Sequence, residues 1–141
     1  MIRFELVTLD GTKFGEQVYE VILPTADGYI AVFEHHMPLV TLAEPGVISV
    51  RHKFNEPDDK MDYFATNGGV IEIADNIVRV LVDEADREDE INEAEAQKAF
   101  DHARNLRSEA KDRMSLDSAQ KLVDRQAVRL QVASLRRRKK R

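Results

Sequence analysis

The stretch VIEIADNIVRVLVDEADREDEINEAEAQKAF, residues 70–100, decides the fold because its hydrophobic period changes partway along. Its first half is rich in Val and Ile on both sides of Asp75-Asn76, which is typical of two β-strands joined by a tight turn. After about Asp86 the apolar residues recur every three or four positions, which is typical of an α-helix. The sequence therefore predicts a β domain over residues 1–86 and a C-terminal helical domain over residues 87–141.

The residues before this stretch contain a series of short strand-like segments. Turn residues separate them about every 8–12 positions, which is the spacing of an antiparallel β-sandwich or barrel. Because no long helix-period segment lies between them, a parallel βαβ arrangement is not expected. The segments are IRFELVTL (2–9), EQVYEVILPT (16–25), YIAVF (29–33), GVISVRHKF (46–54) and MDYFATNGG (61–69).

The last 55 residues contain neither glycine nor proline and carry two narrow, alanine-rich stripes at helical spacing. The stripes predict an antiparallel α-helical hairpin, with a turn near residues 113–117 and with Ser115 or Asp117 capping the second helix. Because alanine removes little apolar area from water, we expect the hairpin to need support from the β domain or a partner, and to be able to rearrange. The stripes are Ala96, Ala99, Ala103, Leu106 and Ala110, then Ala119, Leu122 or Val123, Gln126 or Ala127, Leu130 and Ala133.

The formal net charge of −5 conceals two oppositely charged halves. Residues 1–86 contain 6 Lys or Arg and 16 Asp or Glu, a net charge of −10, whereas residues 87–141 contain 15 and 10, a net charge of +5. Residues 113–141 alone carry 10 basic and 2 acidic side chains, which gives +8. An acidic front and a basic tail indicate different partners for the two halves.

The composition limits the class of protein. The chain is 43% hydrophobic and 33% charged, which is typical of a globular protein with a charge-rich surface. It has no cysteine, so disulfide and thiol chemistry are excluded. No apolar run approaches the roughly 18 residues of a transmembrane helix, and the N-terminus has the features of neither a signal nor a transit peptide. We expect a reducing compartment such as the cytoplasm.

Two local patterns resemble ligand sites, but their context argues against both. His35 and His36 are adjacent, yet a metal site needs three or four ligands, and neither of the other two histidines has a ligand cluster around it. The sequence favours one histidine in a hydrogen bond and one facing solvent. Gly68-Gly69 precedes a strand rather than a helix, so it predicts a bulge or tight turn and not a phosphate loop. A small metal-dependent barrel enzyme is therefore the third and last alternative, and no catalytic, cofactor or metal residue is nominated.

The run RRRKKR, residues 136–141, is the one feature that suggests nucleic acid. Six consecutive cations would bind phosphates without sequence preference and with a strong dependence on salt. However, no aromatic side chain is interleaved for base stacking, and the β half is acidic. A nucleic-acid-associated β-sandwich with a basic tail is the alternative interpretation; otherwise we expect the run to be solvated or to bind an acidic protein face.

Two longer motifs resemble the signatures of the epsilon subunit family of F-type ATP synthases. The first lies in GYIAVFEHHMPLVTLAEPGVISV, residues 28–50, and the second begins at the glycine pair and ends at Ala85. Because a helical segment follows them, the resemblance extends over the whole chain. The matching positions are Gly28, Ile30, Val32, His36, Pro38, Pro45 and Gly46 in the first motif, and Gly68, Gly69, Val70, Ile71, Glu72, Asn76, Val80, Leu81 and Ala85 in the second.

The resemblance implies an α+β fold, mainly β, in which a flattened antiparallel β-sandwich of about ten strands precedes two antiparallel helices. It implies a non-catalytic subunit of the central stalk, without a cofactor, that binds the gamma subunit and the c-subunit ring and couples proton transport to ATP synthesis. It implies that the helices can extend beside gamma and inhibit ATP hydrolysis. The implied location is peripheral, on the cytoplasmic face of the bacterial plasma membrane, with the plastid thylakoid as the less favoured choice.

Contact residues follow from the resemblance position by position. The loop at Gly28 and Tyr29 matches the part of the sandwich that contacts the c ring. His36 and Pro38 match residues near the surface that faces gamma. The full interface implied for gamma and the c ring is Gly28, Tyr29, His36, Pro38, Gly68 and Gly69.

The basic helical half matches the part of the family that inhibits hydrolysis. The charge of +8 on residues 113–141 supplies a reason, since it suits acidic segments of the alpha and beta subunits. We expect Lys121, Arg125 and Arg129 to lie along one side of the second helix and to make these contacts. Removing residues 113–141 should then raise ATP hydrolysis by the assembled enzyme.

A third motif bears on regulation by nucleotide. Some bacterial relatives bind ATP through Ile/Leu-Asp-x-x-Arg-Ala at the start of the first helix. Here residues 91–96 read INEAEA, so Asn92 replaces the Asp and Glu95 stands where the Arg would meet a phosphate. Because an acidic side chain repels a triphosphate, weak or no ATP binding is expected.

Overall fold

The computed structural model describes residues 1–139, which form eight β-strands and two α-helices. The strands are β1 (Ile2–Thr8), β2 (Gly11–Val18), β3 (Glu20–Thr25), β4 (Gly28–Val32), β5 (Leu39–Arg51), β6 (Asp62–Ala74), β7 (Ile77–Val82) and β8 (Ala85–Arg87). The helices are α1 (Glu93–Glu109) and α2 (Arg113–Lys139), and two short 3-10 turns span Asp58–Lys60 and Glu88–Glu90.

The strands hydrogen-bond in the order β2-β1-β7-β6-β5-β3-β4, and β8 pairs with β6. The two longest strands, β5 and β6, belong to both layers of the sandwich. The first half of β5 and the second half of β6 continue into β7, β1 and β2, which we call the open layer. The second half of β5 and the first half of β6 continue into β3, β4 and β8, which we call the covered layer. A mainly β sandwich followed by two helices confirms the predicted fold class.

The strand count and one pairing differ from the prediction. There are eight strands rather than about ten, because β5 runs unbroken through Pro45-Gly46 and β6 through Gly68-Gly69, where turn residues suggested breaks. In addition, β1 pairs with β7 in parallel, although the sequence predicted antiparallel strands. Most of the domain separates these two strands along the chain, so no hairpin turn sets their relative direction.

The core lies between the two layers and is built from the inward side chains of both. Phe14 packs against Phe4 and Phe64, with ring centroids 5.4 and 5.6 Å apart. Strand alternation places these inward residues opposite one another, so the core excludes water across the full width of the sandwich. Its largest fully buried members are Phe4, Phe64, Ile2, Leu6, Leu23, Ile48, Ile71 and Ile73.

The tight turn predicted at Asp75-Asn76 is confirmed, whereas the bulge or turn predicted at Gly68-Gly69 is wrong, because β6 continues through the pair in unshifted register and only the lack of room for a Cβ holds. Asp75 and Asn76 have positive φ angles of 52° and 63° and join β6 to β7, as expected for a two-residue hairpin. Gly69 has no room for a side chain, because an added Cβ would lie 2.1 Å from the Leu81 carbonyl oxygen. Gly68 has a φ of +102°, which favours glycine. The glycine pair is therefore a requirement of the β6 backbone.

The helix caps differ in part from the prediction. Asn92 caps α1, since its Oδ1 accepts from the Glu95 amide at 3.0 Å. Helix α2 begins at Arg113, and Asp112 Oδ1 accepts from the Ser115 amide at 2.7 Å. This contact and a second one to the Ser115 hydroxyl hold the pKa of Asp112 below its ordinary value. The predicted cap at Ser115 or Asp117 is wrong, because the helix starts earlier and Asp112 already serves the first turn.

The hairpin is folded down onto the sandwich. Helix α2 packs on the outer face of the covered layer, whereas α1 packs mainly on α2. Val128 and Val132, which lie outside the predicted stripe, enter a second apolar cluster with Tyr63 of the sheet. Burying one such valine contributes on the order of 1.5–3 kcal/mol, so this contact supplies the support that the hairpin was expected to need. The cluster comprises Val47, Met61, Tyr63, Ala65, Ile91, Ala96, Val128, Val132 and Ala133.

We predict that Gly69→Ala lowers the free energy of unfolding by about 2 kcal/mol or more, because its Cβ would collide with backbone of β7. Gly15→Ala is the matched control, since its Cβ would meet the end of the Arg3 side chain at 3.4 Å and the Thr12 methyl group at 3.6 Å, which are ordinary contacts, and we expect a change within about 0.5 kcal/mol. Urea unfolding followed by circular dichroism measures both. Equal midpoints for the two variants would contradict the assignment.

Candidate functional site and interaction surfaces

One end of the sandwich gathers four of the six predicted contact residues, Gly28, Tyr29, Gly68 and Gly69. The register pairs Thr25 with Ala43, Ala43 with Gly69 and Gly69 with Val82, so the turn at Gly28 and the glycine pair lie at the same end. The sequence motifs placed these residues 40 positions apart without indicating that they meet. We call this surface the turn end.

Tyr29 forms the exposed edge of the turn end. Its side chain is 55% exposed, yet its hydroxyl accepts from the Val47 amide at 3.1 Å. A Cβ on Gly46 would lie 2.8 Å from the Tyr29 hydroxyl oxygen, which is too close for a real contact. The glycine at position 46 therefore leaves room for the tyrosine side chain. Leu9, in the neighbouring turn between β1 and β2, is 82% exposed. The turn end therefore presents a fixed aromatic ring and an unpartnered leucine.

His36 and Pro38 lie at the opposite end, in the loop between β4 and β5. The five residues of β4, about 17 Å of extended chain, separate this loop from Gly28. The structure therefore does not bring Tyr29 and His36 together, and it offers two separate surfaces in place of one.

The adjacent histidines have separate partners. The His36 ring donates from Nδ1 to the Met37 carbonyl oxygen at 2.7 Å. His35 has a positive φ of 65°, is exposed, and lies 3.0 Å from a carboxylate oxygen of Glu34. Its backbone amide donates to Asn76 Oδ1 at 3.0 Å, which ties the loop to the β6–β7 turn. Among residues 1–139, no group of three or more His, Asp or Glu side chains is placed to hold a metal ion.

The outer face of the open layer carries a row of exposed apolar side chains, and sequence reasoning missed it. Leu42, Val70 and Leu81 are direct neighbours across β5, β6 and β7 and are 65%, 38% and 42% exposed. The signal was present for Val70 and Leu81, because each occupies an outward position on a strand whose inward residues are buried. A row of exposed apolar side chains is typical of a protein interface.

A charged row borders this apolar row. Glu5 accepts from Arg79 at 3.0 Å and from Arg3 at 3.1 Å, and these arginines hold the pKa of Glu5 below its ordinary value. Val40 also projects outward, with 72% of its side chain exposed. The face thus combines an apolar stripe with a fixed charge pattern, which can orient a partner.

The basic side of α2 meets the acidic segment of residues 84–93 along a boundary that we call the seam. Arg125 pairs with Glu84, and Arg129 Nε lies 3.3 Å from Asp86 Oδ2. Lys121, one turn earlier on the helix, is exposed. Two of the three cations predicted to inhibit hydrolysis therefore face the chain's own carboxylates.

The seam continues to the described end of α2. Lys139 Nζ lies 2.5 Å from Glu88 Oε1 and 5.2 Å above the Tyr63 ring, and Arg137 Nε lies 3.2 Å from Glu93 Oε2. Burial, together with the nearby negative charges of Asp58 and Glu88, raises the pKa of Tyr63. The predicted basic run is thus partly neutralised within the chain. Its last two residues, 140 and 141, lie outside the described residues.

The start of α1 adjoins a cleft of about 510 Å³ lined by Asp89, Glu90, Ile91, Asn92, Glu93, Ala94, Ala133, Arg136 and Arg137. The cleft holds three carboxylates against two guanidinium groups, and Glu93 is paired with Arg137. The Asn92 amide oxygen is occupied as the helix cap. Glu95, in the first turn of α1, is exposed. This arrangement has no excess positive charge to hold a triphosphate.

Neither α1 nor α2, over the residues that the structure describes, has an apolar stretch long and hydrophobic enough to cross a membrane.

Comparison with known proteins agrees with the sequence motifs. A family model described as "ATP synthase, Delta/Epsilon chain, beta-sandwich domain" matches residues 1–88. The ATP synthase epsilon chain of Herpetosiphon aurantiacus is 34% identical over 137 residues, which cover 96% of each chain. The ATP synthase epsilon chain of Brucella canis is 35% identical over 108 residues, or 77% of each chain.

Solved structures show the same fold. One match is a chain in the cryo-EM structure of the Euglena gracilis mitochondrial ATP synthase, which comprises OSCP, F1 and the c-ring. The TM-score is 0.78 at 22% sequence identity, and the match covers 94% of this chain and 81% of that chain. A chain in the central stalk and c-ring of the Tetrahymena thermophila mitochondrial ATP synthase matches with a TM-score of 0.61 at 13% identity, covering 91% and 95%. The family model over the sandwich and the relatives' coverage of both halves together place this chain in the family of ATP synthase epsilon chains.

Proposed function

We propose that this epsilon chain, a non-catalytic subunit of ATP synthase, binds gamma and the c ring on the central stalk and restrains ATP hydrolysis through its hairpin. The observation that carries the proposal is the division of the molecule into a rigid sandwich with two uncovered surfaces and a basic hairpin held by a small apolar contact. Rigid surfaces suit torque transmission, and a weakly held hairpin suits a movable inhibitor.

The turn end is proposed as the contact with the c ring. Tyr29 and Gly28, nominated from the family motif, lie here with the exposed Leu9 and the glycine pair. Close backbone packing at Gly46 of β5 and Gly69 of β6 holds the exposed residues in place. A surface that turns with the ring needs such stiffness, because a flexible contact would absorb torque.

The outer face of the open layer, with the His36–Pro38 loop at its edge, is proposed as the contact with gamma. The loop leads directly into β5, which carries Val40 and Leu42 on this face. An apolar stripe removes water on binding, and the bordering pairs of Glu5 fix the orientation. The chain then lies at the periphery of the membrane complex, and we place it on the cytoplasmic face of the bacterial plasma membrane.

The seam has the properties of an interface that opens. Two buried side-chain oxygens along it, Asn67 Oδ1 and Glu88 Oε2, lack a hydrogen-bond partner among the described residues. Each such atom costs on the order of 1–3 kcal/mol, which offsets part of the apolar gain. We propose that α2 leaves this seam to reach acidic segments of the alpha and beta subunits.

We predict that Leu42→Asp abolishes retention of this chain by gamma, because a carboxylate would be desolvated at the centre of the apolar stripe. Phe54→Asp is the control, since Phe54 is 70% exposed, comparable with 65% for Leu42, but lies off this face. Co-purification of purified gamma with each variant at moderate salt gives the readout. Retention of both variants would exclude this face as the docking surface.

We predict that combining Lys121→Gln, Arg125→Gln and Arg129→Gln raises ATP hydrolysis by the assembled enzyme several-fold, because the hairpin loses the charges that bind acidic partners. Neutralising Lys98, Arg104 and Lys111, which are exposed on α1 and the adjoining turn, removes the same charge and should leave the rate unchanged. These full-length variants are preferable to removing residues 113–141, which would expose the second apolar cluster. Equal rates in both triple variants, with assembly intact, would refute the inhibitory role.

We predict that isothermal titration of the wild-type chain with Mg-ATP shows no micromolar binding, because carboxylates predominate at the start of α1. Glu95→Arg should increase the affinity by supplying the cation that the motif lacks. Glu109→Arg, which changes the charge equally at the far end of α1, is the control. A micromolar dissociation constant for the wild-type chain would show that the cleft accepts nucleotide despite its charge.

A further inference from the structure

The cations proposed to inhibit hydrolysis are already bound in the closed chain. Arg125 and Arg129 are held by Glu84 and Asp86, at the edge of the sandwich. Both arginine side chains are partly shielded, with 35% and 21% of their surface exposed. A partner with acidic segments would therefore meet the closed hairpin with these two charges neutralised.

The geometry of the two segments explains why the pairing is regular. Glu84 and Asp86 are two positions apart on extended chain, a separation of about 6.6 Å. Arg125 and Arg129 are four positions apart on a helix, a rise of about 6 Å. Because these two spacings nearly coincide, a strand with alternating carboxylates matches one face of a helix with a cation on every turn.

A third carboxylate of the segment also pairs with α2, but not at this spacing. Glu88, two positions beyond Asp86, binds Lys139, which lies ten positions and about 15 Å of helix beyond Arg129. The acidic side chains of this segment are thus arranged toward the helix rather than scattered. The charge balance of the whole chain agrees, since residues 1–86 carry −10 and residues 113–141 carry +8.

We propose that the segment of residues 84–88 is an acidic mask, which occupies Arg125 and Arg129 and so withholds them from acidic segments of the catalytic head. This inference rests on the inhibitory role proposed above and adds what regulates it. Release of the hairpin exchanges one set of carboxylates for another. The balance between closed and open forms therefore depends on the charge of the mask and on ionic strength, and it requires no nucleotide.

The test neutralises the mask and keeps the inhibitory cations. Glu84→Gln combined with Asp86→Asn is compared with Asp83→Asn, an exposed neighbour that has no ion pair with α2 in the described residues. Since the chain has no cysteine, Lys53→Cys and Lys111→Cys, one on the sandwich and one at the hairpin turn, accept spin labels. The distance distribution is measured in the full-length chain, and ATP hydrolysis is measured in the assembled enzyme.

We expect the mask variant to shift the population toward longer label distances by roughly twofold to thirtyfold, as for the loss of two partly exposed ion pairs. We expect hydrolysis by its assembled enzyme to fall, and the Asp83→Asn control to match wild type in both readouts. In the wild-type chain, raising the salt concentration should produce the same shift in distance. The mask variant should be nearly insensitive to salt.

Two results would overturn the proposals separately. An unchanged distance distribution in the mask variant would overturn the mask, whatever happens to hydrolysis. An opened hairpin with unchanged hydrolysis would overturn the inhibitory role proposed above and leave the ion-pair exchange intact.

Discussion

The packing of α2 on the outer face of the covered layer is the contact on which the arrangement of the molecule depends. Val128 and Val132 bury against a face that includes Val47 and Tyr63. A few valine-sized groups contribute on the order of several kcal/mol, whereas each half-exposed ion pair contributes about 0.2–1 kcal/mol. The apolar contact therefore sets the closed form, and the ion pairs along the seam are the smaller contribution to it.

The sandwich supplies the fixed geometry to which the hairpin is attached. Because β5 and β6 cross from one layer to the other, a single pair of strands connects the turn end, the outer face of the open layer and the face under α2. Gly69 permits the close approach of β7 at the crossing point. These three surfaces consequently have fixed relative positions, which the proposed release of the hairpin would leave unchanged.

Local patterns predicted the elements, and tertiary packing decided what the patterns left open. The Asp75-Asn76 turn, the glycine pair and the helical hairpin all carry their signal within a few residues. The continuity of β5 through Pro45-Gly46 has no such local signal, because it is the neighbouring strands that keep this segment extended, whereas in isolation it would turn. Val128 and Val132 escaped notice because α2 packs on two partners, and the alanine stripe describes only one face. Net charge predicted that α2 would bind carboxylates, but only the register of the seam shows that the first ones are its own.

The most direct test of this account is the detection of nuclear Overhauser effects between the methyl groups of Val128 and Val132 and the side chains of Met61 and Tyr63, in the isolated full-length chain at low salt. The account predicts that these effects are present and weaken as salt is raised. Their absence at low salt, with effects between α1 and α2 retained, would mean that the hairpin forms without docking on the sandwich. That result would contradict the closed form from which the inhibitory and masking roles are inferred.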